Sequence, residues 1–245
     1  FSATWNTSQN SSAGSSTATS ISLPLQSTGT YNFTVDWGDS NTTVVTAWNT
    51  TASNHSYATP GIKTINITGT IVGFGFKNGK DKLKIGNVNS WGPLRLGNSN
   101  GYFYGCANLN SSATDNLNLT GTTDLRDTFN GAAIFNGNIS GWNTSSVTSM
   151  MGMFSGATVF NQSIGNWNTG AVTDMSRMFL AATAFNQPIG NWNTSSVSSM
   201  AYMFWLAANF NQSIGNWNTS AVSSMTGMFR STTAFNQNIP GWNIG

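Results

Sequence analysis

From residue 135 onward, apolar positions return every 25 residues. Phe135, Phe160, Phe185, Phe210 and Phe235 form one series, and Trp142, Trp167, Trp192, Trp217 and Trp242 a second. Ile139, Ile164, Ile189, Ile214 and Ile239 lie between them. A fixed period in this range marks a solenoid, in which each unit buries its apolar face only against its neighbours. Within one unit the apolar residues are Val147, Met150, Met153, Phe154, Ala157, Phe160, Ile164 and Trp167. The early ones step by three and four, which predicts one short helical or 3₁₀ turn per unit. Residues 160–169 are then expected to be the strand that pairs with its equivalents above and below. At ordinary strand spacing, six or seven such rungs make a rod of roughly 30 Å.

The same pattern continues toward the N-terminus in degraded form. Stepping back 25 residues from Phe154 gives Phe129 and then Tyr104, from Met150 gives Leu125, and from Trp142 gives Leu117. Trp91, Leu94 and Leu96 suit a first, irregular rung. Residues 1–75 lack the period and read instead as short strands: 16–25 ends in alternating apolar residues, 31–37 alternates Tyr31, Phe33, Val35 and Trp37, and 62–71 carries Ile62, Ile65, Ile67 and Ile71. The expected fold is therefore β-rich: a β-module over 1–75, irregular rungs over 76–134, and a regular solenoid over 135–245.

Composition narrows the function. Only 7% of the 245 residues are charged, none is Glu, and the net charge is +2. From 135 to 245 the charged residues are Asp174, Arg177 and Arg230 alone. Nucleic-acid binding needs clustered cations. The one basic run, Lys77, Lys80, Lys82 and Lys84, is interrupted by Asp81 and reads as a solvated turn, with an anion site as the rival. Cys106 stands alone, so no intrachain disulfide is available, and its alignment with Gly131 and Gly156 neighbours predicts a small packed side chain. No run of 18 apolar residues is present, so no membrane insertion is expected. Phe at position 1 predicts a processed, exported chain.

Two resemblances follow from these residues. Val35-Asp36-Trp37-Gly38-Asp39, His55-Ser56-Tyr57-Ala58 and Pro60-Gly61 resemble the PKD type of immunoglobulin-like β-sandwich, which implies an extracellular module without chemistry of its own. The unit Phe-Asn-Gln-x-Ile-Gly-x-Trp-Asn-Thr, followed by Val and a Met-x-x-Met-Phe step, resembles the BspA-like leucine-rich-repeat surface proteins over residues 125–244. That resemblance implies an extracellular or surface-anchored protein of adhesion or envelope structure, with no enzymatic activity.

Chemistry-bearing groups are sparse. With one His, one Cys and no Glu, no triad or thiol–imidazole pair can be assembled, and no cofactor or metal is expected. Asp36, Asp39 and His55 are the one grouping of titratable residues, and Asp39 suits a turn cap. The recurring Met residues read as polarizable core filler. The Asn columns (136, 161, 186, 211, 236 and 143, 168, 193, 218, 243) read as buried amides bonding their own and the next rung. A flat polar face for ice or sugar, using Thr144, Thr169, Thr194 and Thr219, is the rival reading.

Function is expected on surfaces and ends. Asn-x-Ser/Thr sequons are dense, and those at positions free of the repeat, Asn6, Asn10, Asn32, Asn41, Asn49, Asn54 and Asn138, are the glycosylation candidates. Among the repeats, the column Ser155, Leu180, Trp205, Arg230 and the column Gly152, Arg177, Tyr202, Gly227 vary from copy to copy. Three residues apart on one turn, they predict a contact patch of Arg177, Leu180, Tyr202, Trp205 and Arg230. The sequence ends inside a unit, at Ile239 and Trp242, without a polar cap, which predicts either a fragment of a longer array or head-to-tail pairing with a second copy. The expectation is an extracellular structural glycoprotein that self-assembles into a filament or layer. The alternative is a non-polymerising adhesin that binds host or matrix glycans, or surface proteins, through its variable face.

Overall fold

A computed structural model of the protein describes residues 1–9 and 14–242. It is β-rich and nearly free of helix. In chain order the elements are β1 (Ser2–Asn6), β2 (Ser20–Ser22), β3 (Leu25–Asp36), β4 (Thr42–Val45), one 3₁₀ turn (Thr51–Ser53), β5 (Asn54–Ser56), β6 (Ile62–Phe74), β7 (Ile85–Ser90), β8 (Leu94–Arg95) and β9 (Asn110–Ser111).

The main sheet runs β4-β3-β6-β1-β7-β9, with β8 also on β6, while β2 and β5 form a small second sheet. Alternation explains the long strands: Tyr31, Phe33 and Val35 point into the core while Asn32 and Asp36 face out. β1 was not apparent as a strand, because only Ala3 and Trp5 alternate within its five residues. It nevertheless sits at the handover of the sheet. β1 pairs antiparallel with both β6 and β7, while β6 pairs parallel with β8 and β7 parallel with β9, so parallel pairing begins with the strands on either side of it.

Beyond β9 the chain stacks in parallel turns 25 residues apart. Single parallel bridges link Asp124, Ser149, Asp174, Ser199 and Ser224 in succession. The backbone ladder surrounds them. Met150, Gly152, Phe154 and Gly156 each donate an N–H to the next turn of chain, at Asp174, Ser176, Met178 and Leu180 (2.7–3.0 Å). The amides between them bond locally: Met153 to Met150, Ser155 to Gly152 and Ala157 to Phe154 (3.0–3.1 Å). Every second amide thus serves the stack and the rest close overlapping tight turns.

This overturns the expected division of the unit. The pairing segment is 149–156, where a helical turn was expected, and 160–169 forms no strand. The reason is backbone sign. Positions 152, 177, 202 and 227 have φ of +57° to +62°, and positions 156, 181, 206 and 231 have φ of +55° to +69°. Left-handed residues at these intervals prevent a helix and turn alternate amides outward.

The core is one continuous cluster from Phe1 to Met228. Its axis is aromatic: Phe129, Phe154, Phe179, Phe204 and Phe229 stack at 5.6–5.7 Å, and Phe135 to Phe235 stack at 6.0–6.1 Å. Neighbouring rings within a turn, such as Phe154 and Phe160, lie 4.0 Å apart. Such pairs contribute about 0.5–1.5 kcal/mol each beyond burial. Trp167, Trp192 and Trp217 also donate Nε1–H to the carbonyls of Ile139, Ile164 and Ile189, all at 3.1 Å. The Met column and Cys106 are buried among these rings, and burial raises the Cys106 thiol well above its usual range.

Other polar expectations are redrawn. Thr144, Thr169 and Thr194 point inward and donate to the carbonyls of Asn168, Asn193 and Asn218 (2.9 Å), so they form no outer face. The Asn columns are at the surface rather than buried. Asn136, Asn161, Asn186 and Asn211 each accept the amide N–H of the Asn one turn later (2.9 Å) and the side-chain amide of the Gln beside it (2.9–3.2 Å). Asn143, Asn168, Asn193 and Asn218 accept from the residue two further on, while Asn243 lies outside the described residues. The basic run is only partly solvated: Lys84 and Asp81 are wholly buried as an ion pair (3.4 Å). Lys84 donates to the carbonyls of Ser16, Thr17 and Ser20, and Asp81 accepts from Ser16 and Ser22, so the pair pins an otherwise irregular segment.

Candidate interaction surface

The overlapping turns place the variable columns side by side. Leu180 N–H bonds to Arg177 O (3.1 Å), Trp205 N–H to Tyr202 O (3.2 Å) and Arg230 N–H to Gly227 O (3.0 Å), so each pair forms the two ends of one tight turn. Consecutive turns lie one ladder step apart. Arg177 consequently lies over the Tyr202 ring (5.8 Å to its centroid), and Arg230 over the Trp205 ring (5.1 Å). Tyr202 and Trp205 are themselves 5.4 Å apart and tilted by 42°. Four of the five expected patch residues therefore meet in one ladder of guanidinium and ring. Leu180 is half-buried beside them.

Sequence variation alone did not reveal why these positions hold Gly in other copies. Both Arg177 (φ +57°) and Tyr202 (φ +58°) are left-handed, where a side chain costs about 1–2 kcal/mol. An exposed cation–π contact contributes about 0.5–1 kcal/mol. The strain and the contacts roughly cancel, so stability does not account for Arg and Tyr here. Leu206, in the adjoining left-handed column, adds an apolar side chain that is 42% exposed.

Ile239 and Trp242 are not part of this ladder. They line a separate apolar cavity of about 400 Å³ with Met225, Met228, Phe229 and Arg230, on the last described turns. Arg230 borders both features.

The Asp39–His55 pair is a packing unit. His55 Nε2 lies 2.8 Å from Asp39 Oδ2, and its ring stacks on Trp37 (5.0 Å) and edges onto Tyr57 (4.6 Å). Asp36 takes no part in that pair and instead accepts the Gly38 N–H. Among the described residues no group of three or more His, Cys, Asp or Glu is placed to hold a metal ion. No described helix is long and apolar enough to cross a membrane.

Of the sequon asparagines, Asn32, Asn41, Asn49, Asn54 and Asn138 are exposed and Asn6 is half-buried; Asn10 lies outside the described residues. Asn138 Oδ1 accepts from the amide (3.0 Å) and hydroxyl (2.8 Å) of Ser140, its own sequon serine.

The family model described as "Mycoplasma protein of unknown function, DUF285" matches residues 75–179, 97–207 and 160–245, and the chain belongs to that family. No curated protein and no solved structure matches in the corresponding comparisons.

Proposed function

We propose that this chain is an extracellular or cell-surface repeat protein that works by contact rather than catalysis, without cofactor or metal. In this reading residues 135–245 form a leucine-rich-repeat-type solenoid of the BspA-like kind, and the segment around Trp37, His55 and Tyr57 is a PKD-like module. The working face is the ladder Arg177–Tyr202–Trp205–Arg230. The observation that supports it is a ladder of two cations and two large rings, with Arg177 and Tyr202 held at strained, left-handed positions, on a surface rich in Ser, Thr and Asn. The partner is a surface protein or matrix glycan, and the exposed sequons, Asn138 among them, are the places for attached sugar.

Head-to-tail self-assembly is the second reading. It draws on the apolar cavity at Met225, Phe229, Ile239 and Trp242, a face that a further turn of chain, from this copy or another, would cover.

The test is a binding screen of immobilised wild type and a Tyr202→Ser/Trp205→Ser variant against matrix glycans and surface extracts, with light scattering in parallel. A monomeric protein whose binding falls at least tenfold in the variant supports the contact face. Large assemblies unaffected by the variant but dissolved by Phe229→Asp would replace it with the second reading.

A further inference from the structure

Segments 116–121 and 141–146 are equivalent stretches one 25-residue turn apart, and a cleft of about 340 Å³ opens between them. One change in the repeat removes a stitch at this step. In later turns Thr144, Thr169 and Thr194 each donate a hydroxyl to the carbonyl of Asn168, Asn193 or Asn218 on the next turn (2.9 Å). The same position one turn earlier is Leu119, which has no hydroxyl to give. Asn143 O, the carbonyl that such a hydroxyl would reach, accepts no hydrogen bond from the described residues.

The cleft is polar and uncharged at its walls and apolar at its floor. Leu117 and Leu119, only 3% and 6% exposed, form the floor. Three primary amides stand around it. Asn118 Oδ1 accepts the Thr120 N–H (2.9 Å) and Asn143 Oδ1 accepts the Ser145 N–H (3.2 Å). Each amide is thus oriented by its own turn, while its Nδ2 bonds to none of the described residues. Asn116 lies against Gly141, where a Cβ would fall 2.5 Å from its Oδ1 and 2.7 Å from its Nδ2, so the glycine leaves room for the third amide. No Asp, Lys, Arg or His lines the cleft, and Arg95, which bonds to Thr120 O (3.0 Å), is outside the lining.

We infer that this cleft binds an uncharged saccharide, with the amides of Asn116, Asn118 and Asn143 on its hydroxyls and Leu117 and Leu119 against its C–H face. Neighbouring sugar hydroxyls are neutral groups that both donate and accept, and a primary amide offers an acceptor and two donors side by side. The Asn143 carbonyl takes one sugar hydroxyl where other turns supply threonine. The volume is at the small end of the range for small-molecule sites, about 300–1,000 Å³, which suits one or two rings rather than a long chain. With no ionised group on the wall, an acidic substituent finds no charge-assisted partner there. The cleft shares no residue with the Arg177–Tyr202 ladder and is independent of what that ladder binds.

Ligand-observed NMR titrations with glucose, galactose, mannose and N-acetylglucosamine test it. The protein is produced in a host without N-glycosylation, since Asn118 and Asn143 head sequons. Glucuronate, and an uncharged blocked dipeptide without neighbouring hydroxyls, serve as comparisons. Saturable binding of at least one neutral sugar, tighter than either comparison, is expected. Asn118→Ala, which alters an exposed side chain, should weaken it about tenfold. Leu119→Thr, which restores the stitch to Asn143 O and narrows the cleft, should weaken it at least as much. Tyr202→Ser/Trp205→Ser should leave it unchanged, which separates this site from the ladder. Absence of saturable binding by any neutral sugar, tighter binding of glucuronate or the dipeptide, loss of binding in the ladder variant, or an unchanged affinity in both Asn118→Ala and Leu119→Thr would overturn the site.

Discussion

The ring of Tyr202 lies directly over Gly227. A Cβ built on Gly227 would approach Tyr202 Cδ1 and Cε1 to 2.8 Å, so the absence of a side chain one turn later seats the ring. The glycine is part of the patch although it contributes no group to it.

Gly227→Ala should therefore unseat Tyr202 and add left-handed strain (φ +59°), at a cost of about 1–3 kcal/mol. Ala181, left-handed at φ +55° where other copies have Gly131 and Gly156, gives the reciprocal change. Ala181→Gly should be neutral to stabilising by about 1 kcal/mol, against the loss usual for Ala→Gly. Urea midpoints measure both, and a neutral Gly227→Ala would mean the ring is not held there.

The tryptophan column offers an internal control. Trp192 Nε1–H is bonded to Ile164 O at 3.1 Å, whereas the buried Trp142 Nε1–H has no acceptor. Both indoles are 3% exposed. Trp192→Phe leaves a carbonyl unpaired and should cost roughly 1 kcal/mol more than Trp142→Phe. Equal losses by calorimetry would show that stacking alone sets the value of the column.

Stability against pH should fall away at an acid and an alkaline shoulder. Partial burial works against ionising Asp39 and Asp115, yet hydrogen bonds outweigh it: His55 and Asn41 on Asp39, and Gly92, Trp91 and Ser90 on Asp115. Both carboxyls are thus held below their ordinary 3.8. They contribute stability that is present above that value and lost as pH falls through the folded one. On the alkaline side, burial pushes Tyr102 up to about 12 and raises Tyr57, from an ordinary 10.0. Unfolding exposes phenols that ionise more readily, so stability declines once pH passes about 10. These four groups contribute no slope between about pH 5 and 9. Asp39→Asn should soften the acid shoulder in urea midpoints, and an acid shoulder unchanged in that variant would contradict the assignment.

Much of the core was legible because the repeat preserves identity: Phe160, Ile164, Trp167 and Met153 recur without change and are all buried. The pairing segment was not, because hydrophobic spacing carries no information on the sign of φ. Met150, Met153 and Phe154 step like a helix, while Gly152 and Gly156 between them fix a left-handed backbone. Glycines in some copies, at 131, 152, 156 and 227, were the available signal, although Arg177, Ala181, Tyr202, Leu206 and Ser231 adopt the same sign of φ in the others. The patch at Tyr202 and Trp205 was legible as variation, but its support by Gly227 was not.

The alternation of stacking and local amides across 149–156 also limits how such a chain can change in length. One residue added there would exchange outward donors for inward ones and break register with both neighbours. Growth and shrinkage are thereby quantised: relatives can gain or lose entire 25-residue modules and keep every ladder bond, but they cannot drift in length one codon at a time through this segment.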